Sequence, residues 1–186
     1  LEPRLNESGS LPRWVDPRWN GYLANLAPSV FRANHESRLP ERMSGHDFLS
    51  LGLQHLDPFT PVRPEASYPV RGATRYATEE NWRVGAFYCL VSRPAGTTES
   101  LSADVLGELM FQSHAGYTEC GLASQATDQL VELIRGERAS GLVGGKITGG
   151  GAGGTVAALG YATPAAEAAI QRVMDRYAAW SGRAPY

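Results

Sequence analysis

The spacing of hydrophobic and polar positions changes character twice along the chain, and those changes mark out its elements. Up to about residue 18 no period is sustained, and the stretch with Trp14 and Trp19 reads as an extended lead-in. A short helix is expected within Asn20–Ala27, and Pro28 suits the first position of another turn carrying Val30, Phe31 and Asn34. Ser44 followed three residues later by Asp47 resembles a capping box, with Asp in place of Glu, opening a helix through Phe48, Leu49 and Leu53. Asp57 to Pro69 holds Pro58, Pro61, Pro64 and Pro69 and is expected to be an irregular connector.

From Thr74 the pattern turns helical. Trp82, Ala86, Cys89 and Leu90 form one stripe, and Arg93-Pro94-Ala95-Gly96 stops it. A second helix from about Ser102 aligns Val105, Leu106, Leu109, Met110 and Ser113. A third starts near Ser124, buries Leu130, Leu133 and Ile134, and has Gly136 after its end. The period then shortens: Leu142 to Thr148 and Thr155 to Leu159 read as two short strands around a glycine cluster. A last helix has Thr163 as N-cap, Pro164 at N1, an apolar stripe from Ala166 through Ile170, Val173, Met174 and Tyr177, and a stop at Ser181-Gly182. Strand, strand, helix normally needs a further strand to finish its sheet, so the unit is expected to be truncated before its last strand. The chain opens on Leu1, as a trimmed product or part of something longer would.

Composition narrows the class. Among 186 residues, 42% are hydrophobic and 19% charged, as in an ordinary globular protein. A net charge of −2 argues against a nucleic-acid or membrane-coating protein. No apolar stretch approaches the roughly 20 residues that span a bilayer. Cys89 and Cys120, in or just past helices, are expected to be reduced and the compartment cytoplasmic.

The cluster GLVGGKITGGGAGG, Gly141 to Gly154, is the main chemical signal. Each glycine loses more backbone entropy on folding than any other residue, and the usual compensation is close backbone approach or positive φ angles that turn N–H groups to an anion. A Walker A loop would need glycine at Ser140 and a hydroxyl residue at Ile147, so that reading fails. A dinucleotide fingerprint fits Gly149, Gly151 and Gly154 by spacing, but it should open a helix, and Thr155 to Leu159 reads as a strand. A plain hairpin connection needs two to five loop residues, whereas this one has six small residues in a row.

The run GGKITGGGAGGTV resembles the third conserved motif of the GHMP kinases, a superfamily that includes galactokinase, homoserine kinase and mevalonate kinase. Glu108 to Tyr117, continuing through Asp128-Gln-Leu-Val131, resembles the helix pair ahead of that motif in galactokinases. Tyr22 to Leu26, Arg38 to Glu41, Glu80 to Val84 and Cys120 to Ser124 are similar to the kinase portion of the L-arabinokinases. Together the likeness runs from about Asp16 to Gly182.

The resemblance implies an α+β fold: a ferredoxin-like antiparallel sheet with helices on one face over residues 71–186, preceded by a Pro-rich helical extension over 1–70. It implies an ATP-dependent sugar 1-kinase, with ATP and Mg²⁺ held mainly by a missing N-terminal kinase domain that carries the phosphate loop and the acidic groups. This chain shows no such loop. No catalytic base and no metal ligand are therefore expected in it, and the isolated chain is expected to be inactive. The expected phosphate- and substrate-binding loop is Thr148, Gly149, Gly150, Gly151, Ala152, Gly153 and Gly154. The partner implied is a small sugar, of the L-arabinose or galactose type, with no nucleic acid and no membrane. A non-catalytic binding or regulatory module of the same fold is the alternative.

Other polar residues take structural readings first. Lys146 suits a phosphate cation, but strand alternation favours a solvated place for it, and Arg71, Arg75 and Arg83 would touch substrate or lie on the surface. His114 reads as a hydrogen-bonded structural histidine. His35, His46 and His55 lack metal-ligand spacing. Glu79 and Glu80, near the start of a helix, suit its macrodipole and need no catalytic explanation. Nothing beside Cys120 marks an activated thiolate.

Overall fold

In a computed structural model, residues 2–4, 13–15, 18–52, 57, 59–92, 99–151 and 153–183 are described. The expected Arg93–Gly96 stop, along with Leu53, His55, Pro58 and Ala152, lies outside them. The chain begins with two three-residue strands, β1 (Glu2–Arg4) and β2 (Arg13–Val15), paired antiparallel. In place of the helix expected before Ala27 there is one 3-10 turn, Leu23–Asn25. Helix α1 (Pro28–Asn34) starts with Pro28 at N1 and buries Phe31. Strand β3 (Met43–Ser44) pairs with β4 (Ser67–Tyr68), and between them α2 (Gly45–Ser50) is capped by the Ser44 side chain accepting from the Asp47 N–H.

Three helices follow: α3 (Val70–Val91), α4 (Glu99–Glu119) and α5 (Gln125–Gly136). A reciprocal capping box between Ser124 and Thr127 opens α5. Gly136 is the last residue of α5 rather than the residue after it, and Glu137 takes the cap position. Strands β5 (Leu142–Ile147) and β6 (Val156–Gly160) form an antiparallel hairpin, and α6 (Pro164–Ser181) closes the described fold. The Thr163 side chain caps α6 at its start, and Gly182 at φ 71° ends it in the left-handed region. Among the described residues no helix is long and apolar enough to cross a membrane.

The hairpin is covered from both sides. Neighbouring strand residues face opposite ways, so Gly144 and Gly145 report two different neighbours. A Cβ on Gly145 would lie 3.1 Å from Ile134 of α5, whereas one on Gly144 would lie 2.6 Å from the Gly107 Cα of α4. On the first side Leu133, Ile134, Leu142, Ala166, Ala169 and Val173 join α5, β5 and α6 into one core. Ile147 is fully buried, worth about 1.5–3 kcal/mol for such a side chain. On the second side α4 lies against β5, and α3 packs outside α4.

Helix α3 departs from its expected orientation. Trp82, Ala86 and Cys89 face solvent, with Trp82 60% exposed, while Thr78 is buried and Arg83 is nearly so. Charges decide the rotation. Glu79 and Glu80 lie in the middle of α3, not near its start, and each carboxylate is held by Arg83, at 2.6 and 2.7 Å. Arg32 of α1 meets Glu79 at 2.5 Å, and Ser113 of α4 donates to Glu80 at 2.6 Å. A partly buried ion pair that lost these partners would be left uncompensated, so α3 keeps the polar stripe inside.

Candidate functional site

The glycine bend joins β5 to β6 beside the C-terminal half of α4. Thr148 and Thr155 close its neck: the Thr148 N–H donates to the Thr155 carbonyl at 2.9 Å and its hydroxyl to the same oxygen at 3.3 Å. Gly149, Gly151, Gly153 and Gly154 have φ of 77°, 89°, 126° and 106°, a region in which a side chain is strained. Around Gly149, Gly150, Gly153 and Gly154 a Cβ would meet no atom within 4 Å, whereas one on Gly151 would lie 2.7 Å from Leu122. The bend therefore rests on the Leu122 turn at one point and presents open main chain elsewhere. Of the expected loop residues the structure places Thr148, Gly149, Gly150, Gly151, Gly153 and Gly154 together.

Three residues from α4 and the turn after it hold the bend. The Ile147 N–H donates to His114 Nδ1 at 3.4 Å, the Tyr117 hydroxyl donates to the Gly149 carbonyl at 2.7 Å, and Leu122 supports Gly151. Tyr76 of α3 meets the Tyr117 ring edge-on with centroids 5.1 Å apart. Burial, with Glu80 adding to it, pushes the Tyr76 hydroxyl well above the usual tyrosine pKa, so it stays protonated. Nothing in the sequence context of Tyr117 singles it out, and the one local hint is the small Gly116 before it, against which Tyr76 packs.

Lys146 is not solvated as strand alternation suggests. It points to the side covered by α3 and α4, with Nζ 3.7 Å from Glu80 and 5.8 Å from the centre of the Tyr117 ring. Arg83 joins it through the shared Glu80 carboxylate, so the two candidate cations of the sequence are brought together. Arg75 and Arg71 are placed apart from them, bound respectively to Glu36 and Glu119 and to the Leu39 carbonyl. Beyond Lys146 a groove of about 350 Å³ runs between α3 and α4, walled by Val84, Phe87, Leu109 and Met110.

His114 is buried and structural. Its Nδ1 accepts from Ile147, and Nε2 lies 3.0 Å from Asp128 Oδ1, which fixes a neutral imidazole with its proton on Nε2. Burial lowers its pKa below the ordinary value, and Asp128 opposes that in part. A folded pKa below the unfolded one means that the unfolded chain binds more protons between the two, so stability rises with pH across that window. We therefore expect chemical denaturation to show stability falling as pH drops below about 6.5, the unperturbed histidine value. His114→Asn, which can still accept from Ile147 but does not titrate, should flatten that slope. Equal slopes in the two proteins would remove His114 as the cause.

Cys120 carries no activated thiolate: burial, and then Glu119, raise its pKa. Among the described residues no three His, Cys, Asp or Glu side chains converge as metal ligands. What the site offers is open main chain at the glycine bend, and backbone N–H groups turned outward by glycines at positive φ are a general means of meeting an anion.

Residues 98–179, which run from the start of α4 to the end of α6 and contain the bend, match the family described as GHMP kinases C terminal. L-arabinokinase of Arabidopsis thaliana is 37% identical over 171 residues, which cover 88% of this chain and 16% of that protein. The chain thus spans about one sixth of the length of that relative. Residues 98–179 accordingly belong to the GHMP kinases, as a C-terminal domain of that family.

Proposed function

We propose that this chain forms one wall of the active site of an ATP-dependent sugar kinase, phosphorylating the anomeric hydroxyl of a monosaccharide of the L-arabinose or galactose type. The observation that carries the reading is the open glycine bend from Gly149 to Gly154, set in a domain of a kinase family. The likeness to an L-arabinokinase supports the choice of sugar.

ATP supplies the phosphoryl group. Its transfer depends on positioning and on stabilising negative charge spread over the equatorial oxygens. Main-chain N–H groups serve that purpose because a phosphate can reach them with no side chain between. Thr148 and Thr155 hold the neck so that the bend stays in register. Lys146, paired with Glu80 and lying over the Tyr117 ring, helps to fix the α4 side on which the bend rests. The loop that grips ATP, the Mg²⁺ ligands and the acid near the accepting hydroxyl are assigned to another half of the kinase, to which this chain docks.

The test is a coupled assay of ATP-dependent phosphorylation over L-arabinose, galactose and other monosaccharides, run on the full-length gene product and on this chain alone. We expect turnover of one sugar by the full-length product, and by the chain alone neither turnover nor micromolar binding of Mg-ATP in calorimetry. Micromolar binding by the chain alone would contradict this division of labour. A full-length product that bound sugar without turnover would instead support the non-catalytic module.

A further inference from the structure

We propose that Tyr117 is a positioning residue that aims the Gly150 amide of the bend outward. The kinetic part of this inference rests on the proposed function; the geometric part does not.

A bend with four glycines at positive φ has many shapes open to it, so one shape must be imposed from outside. Beyond the Thr148–Thr155 neck, the Tyr117 hydroxyl is the side-chain hydrogen bond that the described residues bring to it, 2.7 Å from the Gly149 carbonyl. The peptide plane then fixes the direction of the next amide. In a trans peptide the carbonyl of one residue and the N–H of its successor point in opposite directions. With the Gly149 carbonyl drawn toward α4, the Gly150 N–H is turned away from α4, and Gly150 itself is exposed, with no atom within 4 Å of where a Cβ on it would stand. The anchor is itself anchored: Tyr76 meets the Tyr117 ring edge-on at 5.1 Å, Lys146 lies over the ring at 5.8 Å, and Tyr117 is partly buried. One hydroxyl on a fixed ring thus determines which way the amide looks.

Tyr117→Phe isolates that hydroxyl, because the ring and its stacking remain. In the 186-residue chain, amide NMR resonances of Gly149 to Gly151 should shift or broaden, while those of the α4 core around Phe111 stay in place and the melting temperature falls by no more than a few degrees, about what one hydrogen bond contributes. In the full-length product, kcat should fall roughly fivefold, the rate equivalent of one ordinary hydrogen bond, with KM for the sugar unaltered. Unchanged Gly149 to Gly151 resonances would overturn the inference whatever the protein catalyses. Unchanged kcat in Tyr117→Phe, with kcat abolished in Gly150→Val, would overturn the positioning role and leave the kinase reading standing. If neither variant altered kcat, the phosphate-binding role of the bend would fall together with the positioning role, while the kinase activity stood, and the resonances alone would decide the geometry.

Discussion

Gly107→Ala is expected to lower the unfolding free energy of this chain by about 2 kcal/mol, even though alanine is the better helix former. The favourable term is about 1 kcal/mol, the helix propensity gained at an interior position of α4. Against it stands the contact with β5. A Cβ on Gly107 would fall inside van der Waals contact of the Val143 carbonyl oxygen, and the reciprocal Cβ on Gly144 would fall 2.6 Å from the Gly107 Cα and 3.1 Å from Met110 Sδ. Both obstacles are mainly backbone, which has no rotamer to turn aside. Helix and strand must separate, and overpacking of that kind costs about 3 kcal/mol at the upper end of its usual range. Gly85 provides the control. It lies in the exposed part of α3 with nothing within 4 Å of a Cβ, so Gly85→Ala should be neutral or stabilising by up to about 1 kcal/mol. Urea denaturation of the three proteins measures both, and a Gly107→Ala chain as stable as the parent would contradict the close approach of α4 to β5.

The same contact explains why parts of this fold are legible in the sequence and others are not. Elements whose signals are local are found where the sequence places them. Helix α6 begins at Thr163-Pro164 and ends at Gly182, α5 begins at the Ser124 cap, and the two strands bound the glycine bend within a residue or two of their expected ends. Helix α3 is found, but its buried face is not the apolar stripe. Hydrophobic periodicity assumes that the core is the only sink for a helix face, whereas here Glu79, Glu80 and Arg83 are drawn inward by Arg32, Ser113 and Lys146. Those partners lie on α1, α4 and β5, and no spacing rule within α3 reports them. Lys146 is misplaced for a related reason, since alternation gives the side of the strand but not that α4 covers it. The bend itself is legible because so many adjacent glycines have few other uses. Tyr117 is not, because its role is set by a carbonyl 32 residues further along the chain.

Gly150→Val carries the largest expected effect on activity. Gly150 is exposed, its φ is not in the positive range, and a Cβ there meets no atom within 4 Å. Nothing in the fold therefore resists the substitution, and stability should change by no more than about 0.5 kcal/mol, as for an ordinary surface position. The loss should fall on chemistry. A branched side chain would stand where phosphate must approach main chain, and removing one preorganised donor from a transition state typically costs about 100-fold or more in kcat. Gly151→Val is a poor substitute for this test: its φ of 89° and the Leu122 contact would disturb the bend itself, so activity and folding would fall together.

Side by side, kcat and melting temperature of Gly150→Val and of the unaltered full-length product decide whether transferring phosphate meets bare main chain at this bend. The account expects turnover reduced about 100-fold or more with the melting temperature unmoved. Normal turnover by a well-folded Gly150→Val protein would contradict it, and would leave the glycine bend as a connection between strands and nothing more.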